Sequence, residues 1–248
     1  MPTVKDVYNL IDSFAPFNTA EEWDNPGLLA GNPVQKVTRA VFALDATSQI
    51  IEFAAESAAQ LIVTHHPVIF KPVSSVLKDS LVYSLIENGL SVICAHTNFD
   101  FVNGGVNDTL CEKLGFSGFY RQPGSLFNIA EFKEGVSPEA FVKGIKKSLC
   151  ADVRYNKNGK TIYKAAVLCG GGAGYLEEAH NLGCDALVTG DAGHHHFLDA
   201  DAYGMTLAAA GHFETEFPAV EILASLVEKN FVGIECIRAD QKSPVCLM

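Results

Sequence analysis

Two adjacent histidines, His65-His66, close the short apolar run Gln60-Leu61-Ile62-Val63. Neighbouring residues on a strand face opposite ways, but the chain turns where a strand ends. Both imidazoles can then swing toward one cavity, where two neighbouring metal ions could each take one of them. For an isolated pair, capping a turn is the favoured reading. The company the pair keeps shifts the balance: Ala95-His96-Thr97-Asn98-Phe99-Asp100 and Gly211-His212-Phe213-Glu214-Thr215-Glu216 both read small residue, histidine, three residues, acid. Asp191 and the run His194-His195-His196 add further donors.

The elements that must position these groups are strands alternating with helices. Thr3 and Asp6 form a capping-box-like start to a helix carrying Val4, Val7, Leu10, Ile11 and Phe14, closed by Pro16. Val37 to Leu44 reads as a strand, Ser48 to Ser57 as a helix and Leu61 to Thr64 as a strand. A helix near Ser80 to Asn88 leads to a strand, Ser91 to Ala95. Glu21 to Leu28, around the only tryptophan, reads as a loop, and a Gly/Asn turn at Asn103 to Asn107 precedes a helix ending near Gly115. Phe127 to Phe132 suggests a strand, Ser137-Pro138-Glu139 a helix start and Asn156 to Gly159 a hairpin-type turn.

Beyond that turn the landmarks repeat. Phe42 to Thr64 and Val167 to Thr189 have equal spans, ending Leu61-Ile62-Val63-Thr64 and Ala186-Leu187-Val188-Thr189. Each is followed by a polar, histidine-bearing stretch and then by the His-to-acid motif, so the chain reads as an internal duplication. The expected fold is α/β: two intertwined repeats with mainly parallel or mixed sheets flanked by helices, divided as 1–120 and 121–248. The first carries His65-His66 with His96/Asp100, the second His212/Glu216. Such sheets place ligands beyond the carboxyl ends of their strands, which is where all these groups fall. Histidine and carboxylate donors without thiolate suit zinc, iron, manganese or cobalt.

Each group also has a plainer reading. His96 and His212 could donate to backbone, Asp100 and Glu216 could be helix caps or first-turn acids, and Asp191 is a turn residue or a ligand; lying opposite His66 in the repeat, it is expected near the metal centre, accepting a hydrogen bond or orienting a ligand. At most one of His194 to His196 faces a site. Gly170-Gly171-Gly172-Ala173-Gly174 follows a strand but lacks phosphate-loop spacing, so a tight turn is favoured over a phosphate cradle.

Composition narrows the class. With 48% apolar and 19% charged residues over 248 positions, the chain can bury a large core. A net charge of −11 argues against binding nucleic acid or anionic membranes. There is no leader-like segment and no membrane-length apolar run, and the seven cysteines form no CxxC pair, which fits reduced thiols and a cytoplasmic location.

Taken together, Glu22-Trp23-Asp24-Asn25-Pro26-Gly27-Leu28, Thr64-His65-His66-Pro67, His96 to Asp100 with Gly104-Gly105-Val106-Asn107, Thr189-Gly190-Asp191 and Gly211 to Glu216 resemble the GTP cyclohydrolase I type 2 homologue family, also called NGG-interacting-factor-3-like. The match runs in order along nearly the whole chain. The resemblance implies a homohexameric ring, a trimer of dimers, with a dinuclear metal centre facing its interior. Carried over motif by motif, the ligands are His65, His66, Asp100, His212 and Glu216, with Glu216 as the bridge. His96 and His195 match positions near the centre and are the candidate proton carriers. Longer members hold an inserted domain for which Arg121 to Lys160 is too short. The implied activity is metal-dependent hydrolysis of a small nucleotide-like or heterocyclic substrate. The alternative is a non-catalytic metal-handling or regulatory protein working through partners.

Overall fold

The structure is a computed structural model and describes residues 1–157 and 160–246. The chain opens with α1 (Val4–Phe14), whose start is fixed as expected: the Thr3 hydroxyl accepts from the Asp6 amide, and the Asp6 carboxylate accepts from the Thr3 amide at 2.7 Å. Val4, Val7 and Ile11, spaced to share one helical face, are its buried residues. There follow β1 (Gly27–Ala30), β2 (Arg39–Ala43), α2 (Ser48–Glu56), β3 (Leu61–Thr64), α3 (Leu81–Glu87), β4 (Ser91–Cys94) and α4 (Thr97–Asp100). The stretch around Trp23 read as a loop thus ends in a strand, with Gly27 and Leu28 pairing antiparallel to Cys94 and Ile93.

The chain continues through α5 (Val106–Lys113), β5 (Tyr120–Arg121), β6 (Asn128–Val136), α6 (Pro138–Leu149), β7 (Arg154–Tyr155), β8 (Ile162–Val167), α7 (Leu176–Asn181), β9 (Ala186–Thr189), α8 (His194–Tyr203), β10 (Thr206–Ala209) and α9 (His212–Glu216). Finally α10 (Pro218–Asn230) and β11 (Glu235–Arg238) close the chain. The hairpin-type turn expected at Asn156 to Gly159 rests on Asn158 and Gly159, which lie outside the described residues.

Two mixed sheets result, with strand orders β1-β4-β3-β2-β11 and β5-β6-β8-β9-β10-β7. Each contains a run of three adjacent parallel strands, β2-β3-β4 and β8-β9-β10. The duplication shows in the register, since Phe42 lies opposite Val63 and Val167 opposite Val188. Every residue of β3, β4, β9 and β10 is buried, which is why these strands are continuous apolar runs without alternation.

The chain divides into two units, 1–102 with 219–241 and 103–218 with 242–248. The C-terminal strand β11 pairs in parallel with β2, Cys236 opposite Ala40, so the last segment completes the first sheet rather than the second. Among the described residues no helix is long and apolar enough to cross a membrane.

Candidate metal centre

In the first unit, the backbone of His65 and His66 prolongs β3. The His65 amide donates to the Ala43 carbonyl at 3.3 Å and that of His66 to the Leu44 carbonyl at 2.9 Å. The Thr64 hydroxyl donates to the His66 carbonyl at 2.8 Å and holds the turn that follows. The rings nonetheless come together, with centroids 5.2 Å apart. His96, one residue beyond Ala95 at the end of β4, completes a cluster: His65, His66 and His96 each offer a ligand atom, all within 4.8 Å of one another, and could hold a metal ion. Asp100 ends α4, and its carboxylate lies 3.4 Å from His65 Nε2. Asp100 is thus a first-turn acid of α4 rather than its cap, buried and one turn after His96.

Each of these rings is held by its Nδ1 nitrogen. His65 Nδ1 donates to the Ala95 carbonyl at 2.8 Å, His66 Nδ1 to Asp45 Oδ1 at 2.7 Å and His96 Nδ1 to Asp24 Oδ1 at 2.7 Å. An acceptor at Nδ1 fixes the proton there and gives the lone pair to Nε2, the arrangement by which metal-binding histidines are oriented. Asp24 is itself anchored, accepting from the Thr97 amide at 3.1 Å and the Thr97 hydroxyl at 2.6 Å. Burial works to raise the Asp24 carboxyl, but hydrogen bonds from His96 and Thr97 outweigh it and hold it down at about 2. It is an anion at any ordinary pH.

The second unit repeats the turn from strand into short helix with different residues. His212 opens α9 and Glu216 ends it, so one helical turn brings His212 Nε2 within 2.9 Å of Glu216 Oε2. His212 Nδ1 donates to Asp191 Oδ2 at 2.7 Å, the same tether seen in the first unit. Glu216, like Asp100, is buried and closes its helix rather than capping it. The plainer expectation that His96 and His212 donate to backbone does not hold; both donate to aspartates.

Gly170 makes room for this pair. Its φ is +58°, and a Cβ there would collide with Glu216 Oε1 and lie 3.3 Å from His212 Nε2. The glycine-rich turn is a packed structural turn. The Gly170 amide donates to the Thr215 hydroxyl at 3.1 Å and the Gly172 amide to the Thr189 hydroxyl at 2.9 Å. The Gly190 and Asp191 amides both converge on the Gly170 carbonyl, at 2.9 and 2.8 Å. Those amides are committed inside the protein, as a tight turn requires and a phosphate cradle would not.

His194 and His195 are exposed on the first turn of α8, and the His195 ring lies against His196, centroids 3.9 Å apart. His196 Nδ1 accepts from the Gly193 amide at 3.0 Å. None of the three joins a cluster of three donors among the described residues. Asp24 and Asp45 escaped sequence reasoning as orienting residues. Asp45 carries a detectable signal, since it follows a strand end as the histidines do.

The donor sets fit a metal: nitrogen and carboxylate ligand atoms, oriented rings and a glycine that leaves space at the carboxylate. The molecule is thus an α/β protein with a duplicated strand-end motif whose clustered His/Asp/Glu groups could hold a metal ion. The chain belongs to the Duf34/NIF3 (NGG1p interacting factor 3) family, whose model matches residues 2–244. It is 34% identical over 240 residues to a "GTP cyclohydrolase 1 type 2 homolog" of Clostridium perfringens, covering 92% of each chain. It is 32% identical over 234 residues to the "GTP cyclohydrolase 1 type 2" of Helicobacter pylori, again covering 92% of each. The crystal structure of Staphylococcus aureus protein SA1388 superposes with a TM-score of 0.90 at 27% identity, covering 100% of this chain and 99% of that one.

Proposed function

We propose that the protein binds two divalent metal ions, zinc or iron before manganese or cobalt, and acts as a metal-dependent hydrolase on a nucleotide-like or heterocyclic substrate. His65, His66 and Asp100 of the first unit and His212 and Glu216 of the second would be the ligands. The observation that carries this reading is the common tether: His65, His66 and His212 each present Nε2 because an oxygen acceptor holds Nδ1. Support for the substrate class comes from relatives named for GTP cyclohydrolase 1 type 2.

Ions held by these residues would supply Lewis acidity and would lower the pKa of a bound water toward neutrality. The chain's own residues orient and move protons. His96 is the first candidate proton carrier, because Asp24 holds its Nδ1 and orients Nε2 for proton exchange. His195, exposed on α8, is the second candidate. The family resemblance also supports a homohexameric ring as the working assembly.

Turnover of a nucleotide panel by metal-loaded protein tests the reading. Expected is hydrolysis that disappears on chelation and returns with added metal. Full metal loading with no turnover of any nucleotide would overturn the hydrolase assignment and favour metal handling.

A further inference from the structure

Trp23 and Phe70 stand beside His96 with large parts of their rings in water, 56% and 45% exposed. Leaving two large aromatic side chains in solvent forgoes stabilisation that burial would bring, so their placement needs a reason. The two rings approach to 5.8 Å at an interplanar angle of 45°, and so do not stack on one another. Both present themselves edge-on to the His96 imidazole, at 6.1 and 6.5 Å between centroids.

Their loops are pinned. The Asn25 side-chain amide donates to the Ile69 carbonyl at 2.6 Å, tying the loop of Trp23 to that of Phe70. The Glu21 amide donates to the Thr97 hydroxyl at 3.0 Å, the Asp24 amide to the Glu21 carbonyl at 2.9 Å, and the Asp24 carboxylate binds His96 and Thr97. One buried anion therefore fixes both the imidazole and the backbone next to Trp23. Exposed rings on a mobile loop would be ordinary surface; exposed rings fixed in advance beside a histidine cluster form a recognition surface.

We propose that Trp23 and Phe70 are a stacking platform for the planar heteroaromatic ring of the substrate, which lies on the indole with Phe70 as its wall and His96 at its edge. This rests on the proposed function for the substrate's heterocyclic character, while the platform itself is built from first-unit residues alone. Two aromatic faces recognise a planar ring by shape rather than by a single base identity.

Trp23 is the only tryptophan in the chain, so its emission reports the platform directly. Guanosine, adenosine and ribose 5-phosphate are titrated into the full-length protein, with and without zinc, correcting for absorbance. Expected is saturable quenching by both nucleosides and none by ribose 5-phosphate. Phe70→Ala should weaken nucleoside binding by about tenfold, Phe70→Tyr should restore it, and calorimetry on Trp23→Ala should show a loss at least as large. Absence of saturable quenching by either nucleoside at millimolar concentration, or unchanged affinity in Phe70→Ala, overturns the proposal. So does emission that follows protein dilution instead of nucleoside, the sign that a second copy covers the rings. Elemental analysis keeps the two readings apart: nucleoside stacking by protein that cannot hold metal sinks only the metal centre, and fully loaded protein without stacking sinks only the platform.

Discussion

After β3 the first half carries His65-His66; after β9 the second half carries Gly190-Asp191 at the matching positions. By the same alignment Asp45, three residues beyond Phe42, falls opposite Gly170, three beyond Val167. The scaffold is common to both halves, but these loops have exchanged roles. In the first, Asp45 orients a donor, His66. In the second, Asp191 is itself the orienting group for His212, and Gly170 supplies no side chain there, which leaves space for Glu216. What the halves keep in common is the last step, a strand running into a single helical turn with histidine before or at its start and acid at its end. Duplication thus preserved the donor-bearing turns and let the neighbouring loops diverge, one into a pair of candidate donors and the other into a support.

The largest effect that would break this comparison comes from filling the space at Gly170. Gly170→Ala adds a Cβ against Glu216 in a left-handed conformation. We expect metal affinity to fall by about 100-fold and stability to drop by about 1–3 kcal/mol, read by chelator competition and denaturant melts. Unchanged metal affinity would mean that Glu216 is not a ligand.

Next come the orienting aspartates. Asp191→Asn and Asp45→Asn should each weaken metal binding by about tenfold or more, because an amide no longer fixes the imidazole tautomer. If only one variant loses affinity, the supposed equivalence of the two supports fails and the affected half dominates the site.

The smallest effect concerns Asp24 in metal-free protein. Its folded carboxyl titrates at about 2 against an ordinary 3.8. A depressed acid contributes stability that is fully present above about pH 4 and is lost as pH falls toward about 2. Thermal melts of the parent should therefore lose stability over that window beyond whatever Asp24→Asn loses. Parallel acid profiles for the two proteins would contradict the ionised Asp24–His96 tether.

The strands, the duplication and the His-to-acid motifs were legible because they are local: fully buried parallel strands leave uninterrupted apolar runs, and repetition marks their ends. Asp191 was legible as a group that accepts a hydrogen bond or orients a ligand, from its position opposite His66, and it accepts from His212 Nδ1 at 2.7 Å. Asp24 was not, since it reaches His96 across 72 residues from a stretch that reads only as a loop. Strand β1 hid in the same stretch, its four residues short and bounded by proline and glycine. The return of the C-terminal strand to the first sheet was hidden for a related reason. Nothing in the local pattern of β11 says that it pairs with β2, about 200 residues earlier in the chain.

The central claim is that each half supplies ligands to bound metal. Elemental analysis of purified parent, His65→Ala, Glu216→Ala and the double variant tests it most directly, with circular dichroism confirming that each is folded. The account predicts two ions per chain in the parent, reduced occupancy in each single variant and essentially none in the double. Two ions retained by the folded double variant would contradict it.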